Sequence, residues 1–176
     1  IRFETKSMTD AHARILASLD FQFGGRAGQM KFPLPPLLEY NLEYAFTTKD
    51  AKTTQWLDLS LTNMMQGGIY DQLAGGFARY ATDTKWRVPH FEKMLYDNAQ
   101  LISLYSFAYQ KNGNEKYKSV IEKSLDFVKN NLTNQDGSFY SSLDAETEGE
   151  EGKFYVWTEK EINDGLGAGS DLEIFR

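Results

Sequence analysis

Apolar side chains return every three or four positions through five successive stretches of this chain, and the breaks between them carry glycine, proline or asparagine. That rhythm commits most of the sequence to amphipathic helices joined by short connections. Met8, Ala11, Ile15, Leu16 and Leu19 form the first apolar face, with Ser7 or Thr9 as its cap and Gly24-Gly25 as its stop. The prolines of KFPLPP start a second helix, whose buried face is Leu37, Leu38, Asn41, Leu42 and Ala45. After a turn at Thr47 to Asp50, Leu57, Leu61, Met64 and Met65 mark a third helix. It is expected to stop at Gly67-Gly68, because glycine accepts the left-handed conformation at a helix end. From Pro89 the series Phe91, Met94, Leu95, Asn98, Leu101, Ile102, Tyr105, Ala108 and Tyr109 predicts a fourth, long helix. Asn112-Gly113-Asn114 turns the chain into a fifth, with Tyr117, Val120, Ile121, Ser124, Leu125, Val128 and Leu132 inward. Asn134 to Gly137 breaks it. Phe139 to Ser142 and Phe154 to Trp157 read as two short strands closing over an acidic loop. Thr158 with Glu161 makes a capping box for a sixth helix.

Antiparallel helices with short connections bury their apolar faces pairwise, so the expected fold is all-α with a small β-hairpin, residues 1–176 forming a single domain. A closed ring of hairpins is one solution, and no short-period repeat points to a regular solenoid. With 41% hydrophobic and 25% charged residues the chain reads as globular. Its formal charge of −6 excludes a phosphate-neutralising surface, so neither nucleic acid nor an anionic membrane is an expected partner. No apolar run is long enough to span a bilayer, and IRFETKS lacks a signal-peptide core. The lack of an initiating Met and the abrupt end at LEIFR suggest an excised piece. The absence of cysteine excludes disulfides and thiolate chemistry within the chain and fits a reducing, cytoplasmic setting.

Two stretches are denser in chemistry than packing requires. Gly67 to Tyr105 mixes glycines, aromatics and ionisable groups, and Phe139 to Ile162 holds five of the 25 acidic residues within eight positions. Asp144, Glu146, Glu148 and Glu150 fall at every second position, so an extended strand would point them one way. The loop begins like a calcium loop, but its twelfth position is Tyr155 in place of a bidentate Glu. A solvated loop is therefore expected, with a cation site across Asp144 to Glu151 as the alternative; no metal or cofactor is assigned. GGIYDQLAGG lacks the spacing and the Lys-Ser/Thr ending of a phosphate loop, leaving its glycines to permit tight turns.

These motifs carry a resemblance. GGFARYATDTKWRVPHFEKMLYDNAQL and SLDAETEGEEGKFYVWTEKEI resemble signatures of the thioredoxin-domain-containing family that includes the spermatogenesis-associated proteins and their bacterial relatives. FGGRAGQMKFPLP is similar to a third, although Arg26 to Met30 departs from the family loop and Ala78 stands where the family often has His. The resemblance implies an upstream thioredoxin-like domain followed by an (α/α)6 toroid, six-hairpin glycosidase-like and related to sugar epimerases. This chain looks like the first half of that toroid.

What the resemblance implies for function is carbohydrate binding or catalysis in the central cleft, of an epimerase or glycoside hydrolase type. His90, Glu92, Asp97 and Asp144 are the candidate catalytic residues. A helix starting at Pro89 would place His90, Lys93 and Asp97 along one stripe, where the histidine can move a proton and a carboxylate can orient it. A solvated charge stripe is the alternative. Glycoside hydrolysis needs two carboxyl groups, and Glu92, Asp97, Asp71, Asp144 and Glu146 supply candidates. Tyr70, Arg79, Trp86, Arg87 and Tyr140 are the candidate substrate-binding residues, by ring stacking and hydrogen bonding, while Tyr155 and Trp157 read as core. The competing expectation is a non-catalytic scaffold that presents the thioredoxin-like domain to client proteins. A half toroid would also leave apolar faces open to self-association.

Overall fold

The computed structural model describes residues 5–167 and 169–175. Two-residue turns set the pairing of its helices. Between α2 (Pro35–Thr48) and α3 (Ala51–Gln66), Lys49 takes φ 60 and donates its N–H to Ala45. Asp50 then caps α3 by accepting from Thr53 N–H at 2.7 Å. Between α4 (Leu95–Asn112) and α5 (Glu115–Asn131) the same solution recurs, with Gly113 at φ 67 and Asn114 as the cap. α1 (Thr5–Ala17) precedes these pairs, and α6 (Glu159–Leu166) and α7 (Ser170–Phe175) follow. Thr158 and Glu161 form the expected capping box of α6.

α2 packs on α3 and α4, and α4 packs on α5. Trp56, Leu61, Met64, Leu101, Leu104, Tyr105 and Tyr117 interleave in the core between them, all at most 1% exposed. Tyr105 meets its polar need inside that core by donating to Leu61 C=O at 2.8 Å.

Short turns alternate with long connections, residues 18–34, 67–94 and 132–158. Antiparallel alternation puts all three long connections at the same end of the bundle, and extended pairing ties them together there. Lys31 bridges Ala81, and Ala81 also bridges Pro89. β1 (Lys93–Met94) pairs antiparallel with β2 (Ser142–Leu143), and β3 (Glu146–Thr147) with β4 (Glu150–Glu151).

The structure corrects several expectations. α4 begins at Leu95, because Phe91 takes φ 65 and the backbone of 90–94 is spent elsewhere: Glu92 C=O accepts from Arg79 N–H within the same connection, and Lys93–Met94 pair with Ser142–Leu143 of the next. The stripe of His90, Lys93 and Asp97 therefore does not exist. Phe139 to Ser142 does not pair with Phe154 to Trp157. The hairpin is the acidic loop itself, turned by Glu148 and Gly149 at φ 56 and 78, the two positive values a type I′ turn needs. That turn ends the every-second-residue alignment of the carboxylates.

Ser7 and Thr9 lie inside α1, and α1 ends before Gly24. Leu125 is exposed on α5 while Phe127 is buried, because the inward phase runs Tyr117, Val120, Ser124 and Phe127. Gly67 ends α3 at φ −82, an extended conformation open to any residue. Gly67 and Gly68 are required by contact: side chains there would strike the carbonyl oxygens of Trp86 and Arg87.

Candidate functional site

At the end where the long connections meet, one local device occurs twice. Asp20 Oδ1 accepts from the N–H groups of Gln22 and Phe23 at 2.7 and 3.0 Å, and Asp71 Oδ1 from those of Leu73 and Ala74, both at 2.9 Å. Each turn closes on a Gly-Gly pair with φ between 68 and 78. There the first glycine donates back to the aspartate C=O and the second accepts from the aspartate N–H. The other carboxylate oxygen receives a lysine from later in the same connection, Lys31 at 2.6 Å and Lys93 at 2.8 Å. Each ammonium also donates to the first glycine's carbonyl, Gly24 at 2.7 Å and Gly75 at 3.0 Å.

The second clasp opens onto a cleft. Two adjoining cavities of about 230 and 290 Å³ share Asp71, Lys93 and Tyr155 in their walls. Phe91 and Pro89 complete one, and Asp144, Glu146 and Phe154 line the other. The Lys93 ammonium sits 4.5 Å from the Phe127 ring centroid and 5.0 Å from that of Tyr155, within cation–π range. Burial lowers the Lys93 pKa against the opposing pull of Asp71. For Asp71 burial acts upward, but the Lys93 ammonium and the two backbone N–H groups outweigh it and hold the carboxyl low.

A polar rim flanks Phe91, its residues outside the lining of both cavities. His90 Nδ1 lies 2.9 Å from Glu151 Oε1, and its ring stacks on Tyr80, which stacks on Phe32. The Phe91 ring stacks on Tyr155 and fills the space a side chain at Gly152 would need, so the acidic hairpin is seated against this segment. Arg79 Nη1 pairs with Glu92 Oε2 at 3.1 Å. Nearby, Asp97 keeps Oδ2 buried with no hydrogen-bond partner among the described residues. Burial raises its pKa to about 6, with Arg79 opposing and Glu92 adding to the rise. A carboxyl titrating there can give and take a proton near neutrality.

Of the candidate catalytic residues, Glu92 and Asp97 meet around Arg79, and His90 turns to Glu151. Asp144 lines the cleft with Asp71 and Lys93, its Oδ1 accepting from Glu146 N–H. Trp86 is wholly buried and donates to Phe23 C=O, and Tyr70 is buried against Phe77. Neither presents a face to a ligand. Trp86 sits in the core because the Gly67 and Gly25 backbones close directly over it. Arg79, Arg87 and Tyr140 are exposed. Trp157, expected in the core, is 58% exposed, and Tyr155 is half-buried in the cleft wall. Among the described residues no three His, Asp or Glu side chains are placed to share a metal ion.

Sequence reasoning missed Lys93, the cation at the centre of the cleft, by assigning it to a helix. The signal was present: DFQFGG at Asp20 and DQLAGG at Asp71 share the pattern Asp-x-x-x-Gly-Gly, about 50 residues apart, each followed by a lysine before the next helix.

No protein-family model matches the chain. It is 43% identical over 153 residues to human spermatogenesis-associated protein 20, and 42% over the same length to the mouse protein. Each match covers 81% of this chain, which spans about a fifth of the length of these relatives. Among solved structures, a sugar epimerase from a ruminal bacterium superposes with TM-score 0.67 at 14% identity, covering 76% of this chain and 37% of that one. The cellobiose 2-epimerase of Spirochaeta thermophila gives 0.64 at 12% identity, with coverages of 78% and 40%. A D-mannose isomerase gives 0.59 at 14%, with 81% and 42%. At such identities the likeness is one of fold, and that fold is a partial (α/α)6 toroid.

Proposed function

For a chain that resembles the spermatogenesis-associated family over 81% of its length and folds as part of a six-hairpin toroid, we propose a carbohydrate-related binding or catalytic role at the cleft beside Lys93. The observation that carries the reading is the position of that cleft. It lies where the second and third long connections meet over α5, walled by the Tyr155 and Phe154 rings and by carboxylates. Aromatic faces stack on sugar rings while fixed donors and acceptors read hydroxyls. Asp97, raised to about 6 chiefly by burial with Arg79 opposing and Glu92 adding, is the proton donor and acceptor of this reading. His90 takes a supporting part, orienting the rim through Glu151.

Epimerase or isomerase chemistry removes a proton from the carbon beside a carbonyl and returns it. Incubating mannose and cellobiose with the protein in heavy water and following deuterium uptake by NMR tests this directly. Uptake that disappears in Asp97→Asn supports the role, whereas uptake unchanged in that variant removes Asp97 from the mechanism. Failure of every sugar to bind or exchange would sink the carbohydrate reading.

A second reading, a scaffold for a thioredoxin-like domain, draws on two observations. His90 is engaged by Glu151 and Glu92 by Arg79, and Phe139, Phe154, Val156 and Trp157 of the last long connection are each more than half exposed. Cross-linking of a thioredoxin-like domain to those four positions, combined with absent sugar binding, is the outcome that favours it.

A further inference from the structure

The duplicated clasp isolates what is special about Lys93. A lysine ammonium carries three N–H donors. Lys31 spends all three inside its clasp, on Asp20 Oδ2, Gly24 C=O and Arg26 C=O at 2.6, 2.7 and 3.0 Å. Lys93 gives two, to Asp71 Oδ2 and Gly75 C=O, and has no third oxygen acceptor among the described residues. Structure alone would be served by the closed form, as Lys31 demonstrates. The open form occurs in the copy whose ammonium borders two cavities.

We infer that Lys93 and Asp71 read the hydroxyls of an uncharged, sugar-like polyol, an inference that rests on the carbohydrate reading and narrows its substrate class. Asp71 Oδ1 is occupied by two backbone N–H groups, but among the described residues Oδ2 holds only Lys93 and keeps acceptor capacity. The pair thus offers one donor and one acceptor side by side, the complement of a hydroxyl or of two neighbouring hydroxyls. The Phe154 ring, largely exposed in the wall of the second cavity, supplies the stacking face. Charge excludes the anionic alternatives. Among the described residues lining the two cavities, Lys93 is the single cation, already paired, against the carboxylates of Asp71, Asp144 and Glu146. A phosphate, sulfate or carboxylate on the sugar would enter a field of its own sign.

The test is calorimetric titration of the protein with mannose and cellobiose and with mannose 6-phosphate and glucuronate as charged counterparts. Neutral sugars are expected to bind and the charged ones to bind at least about tenfold more weakly, one unfavourable charge contact being worth that much. Lys93→Met should weaken neutral-sugar binding by about tenfold or more through the lost charged hydrogen bond, while Lys31→Met, assayed below its melting temperature, keeps the parent affinity. Because Lys93→Met leaves Asp71 unpaired and can fail to fold, the unmutated protein is also labelled with ¹³C at lysine Cε. The Lys93 resonance should move on adding mannose and the Lys31 resonance should not. Sugar binding with an unmoved Lys93 signal, or tighter binding of the charged sugars, overturns this inference and leaves the carbohydrate reading standing. No binding of any sugar overturns both.

Discussion

Replacing Asn98 by alanine should cost this fold more than any other single polar truncation in its core. Asn98 is fully buried; its Oδ1 accepts from Phe77 N–H at 2.7 Å, and its Nδ2 donates to Phe77 C=O at 3.0 Å and Met94 C=O at 2.9 Å. Phe77 is 0% exposed, so water cannot replace those contacts. Each buried backbone group left without a partner costs about 1–3 kcal/mol, giving about 2–6 kcal/mol for the two groups of Phe77. The central expectation is about 4 kcal/mol, a fall in melting temperature of about 8–16 °C for a chain this long.

Asn41 supplies the internal control. It is equally buried, yet its side chain makes one bond, from Nδ2 to Leu37 C=O at 2.7 Å, and leaves Oδ1 unpartnered among the described residues. Asn41→Ala removes a weak contact and an unsatisfied atom together, so it should cost about 1 kcal/mol or less. Thermal and guanidinium unfolding followed by circular dichroism measures both variants. Equal losses, or an Asn98→Ala loss below about 1 kcal/mol, would refute the claim that hydrogen bonding to Phe77, and not burial alone, sets the value of this side chain.

Other perturbations test separate links. Gly68→Ala should prevent folding or cost several kcal/mol, since its Cβ would strike the Arg87 carbonyl, whereas Gly113→Ala meets nothing within 4 Å and should cost only about 1 kcal/mol for its positive φ; comparing soluble yield and unfolding of the two checks this. Asp97 binds its proton more tightly folded, near 6, than unfolded, so its contribution to stability falls as pH rises from about 4 to about 6 and the cost is complete above that. Discounted for its partial exposure, Asp97→Asn should gain about 1–2 kcal/mol at pH 8 and almost nothing at pH 4; a difference independent of pH would count against the raised pKa. Thr158→Ala should lose about 1 kcal/mol of capping, seen as faster hydrogen exchange confined to Glu159–Leu166.

The sequence by itself determined the helices, because their causes are local. Apolar spacing, the prolines before Leu37, the Asp50 and Asn114 caps and the Thr158 capping box each act within a turn or two of chain, and the structure places helices at all of them. Composition and these local signals together were enough for an all-α chain with a small hairpin. Tertiary structure decided everything between the helices. Pro89 to Met94 continues a helical apolar spacing, but its backbone groups bond to Arg79–Ala81 earlier in the same connection and to Ser142–Leu143 of the next, and those non-local bonds overrule the local period. The same pairing moved His90 away from Asp97, placed Lys93 over Asp71 and sank Trp86 into the core. A cleft made by two connections meeting at one end of a bundle depends on which helix packs on which. No stretch of a single connection encodes that arrangement, even though the repeated Asp-x-x-x-Gly-Gly clasp was legible in the chain throughout.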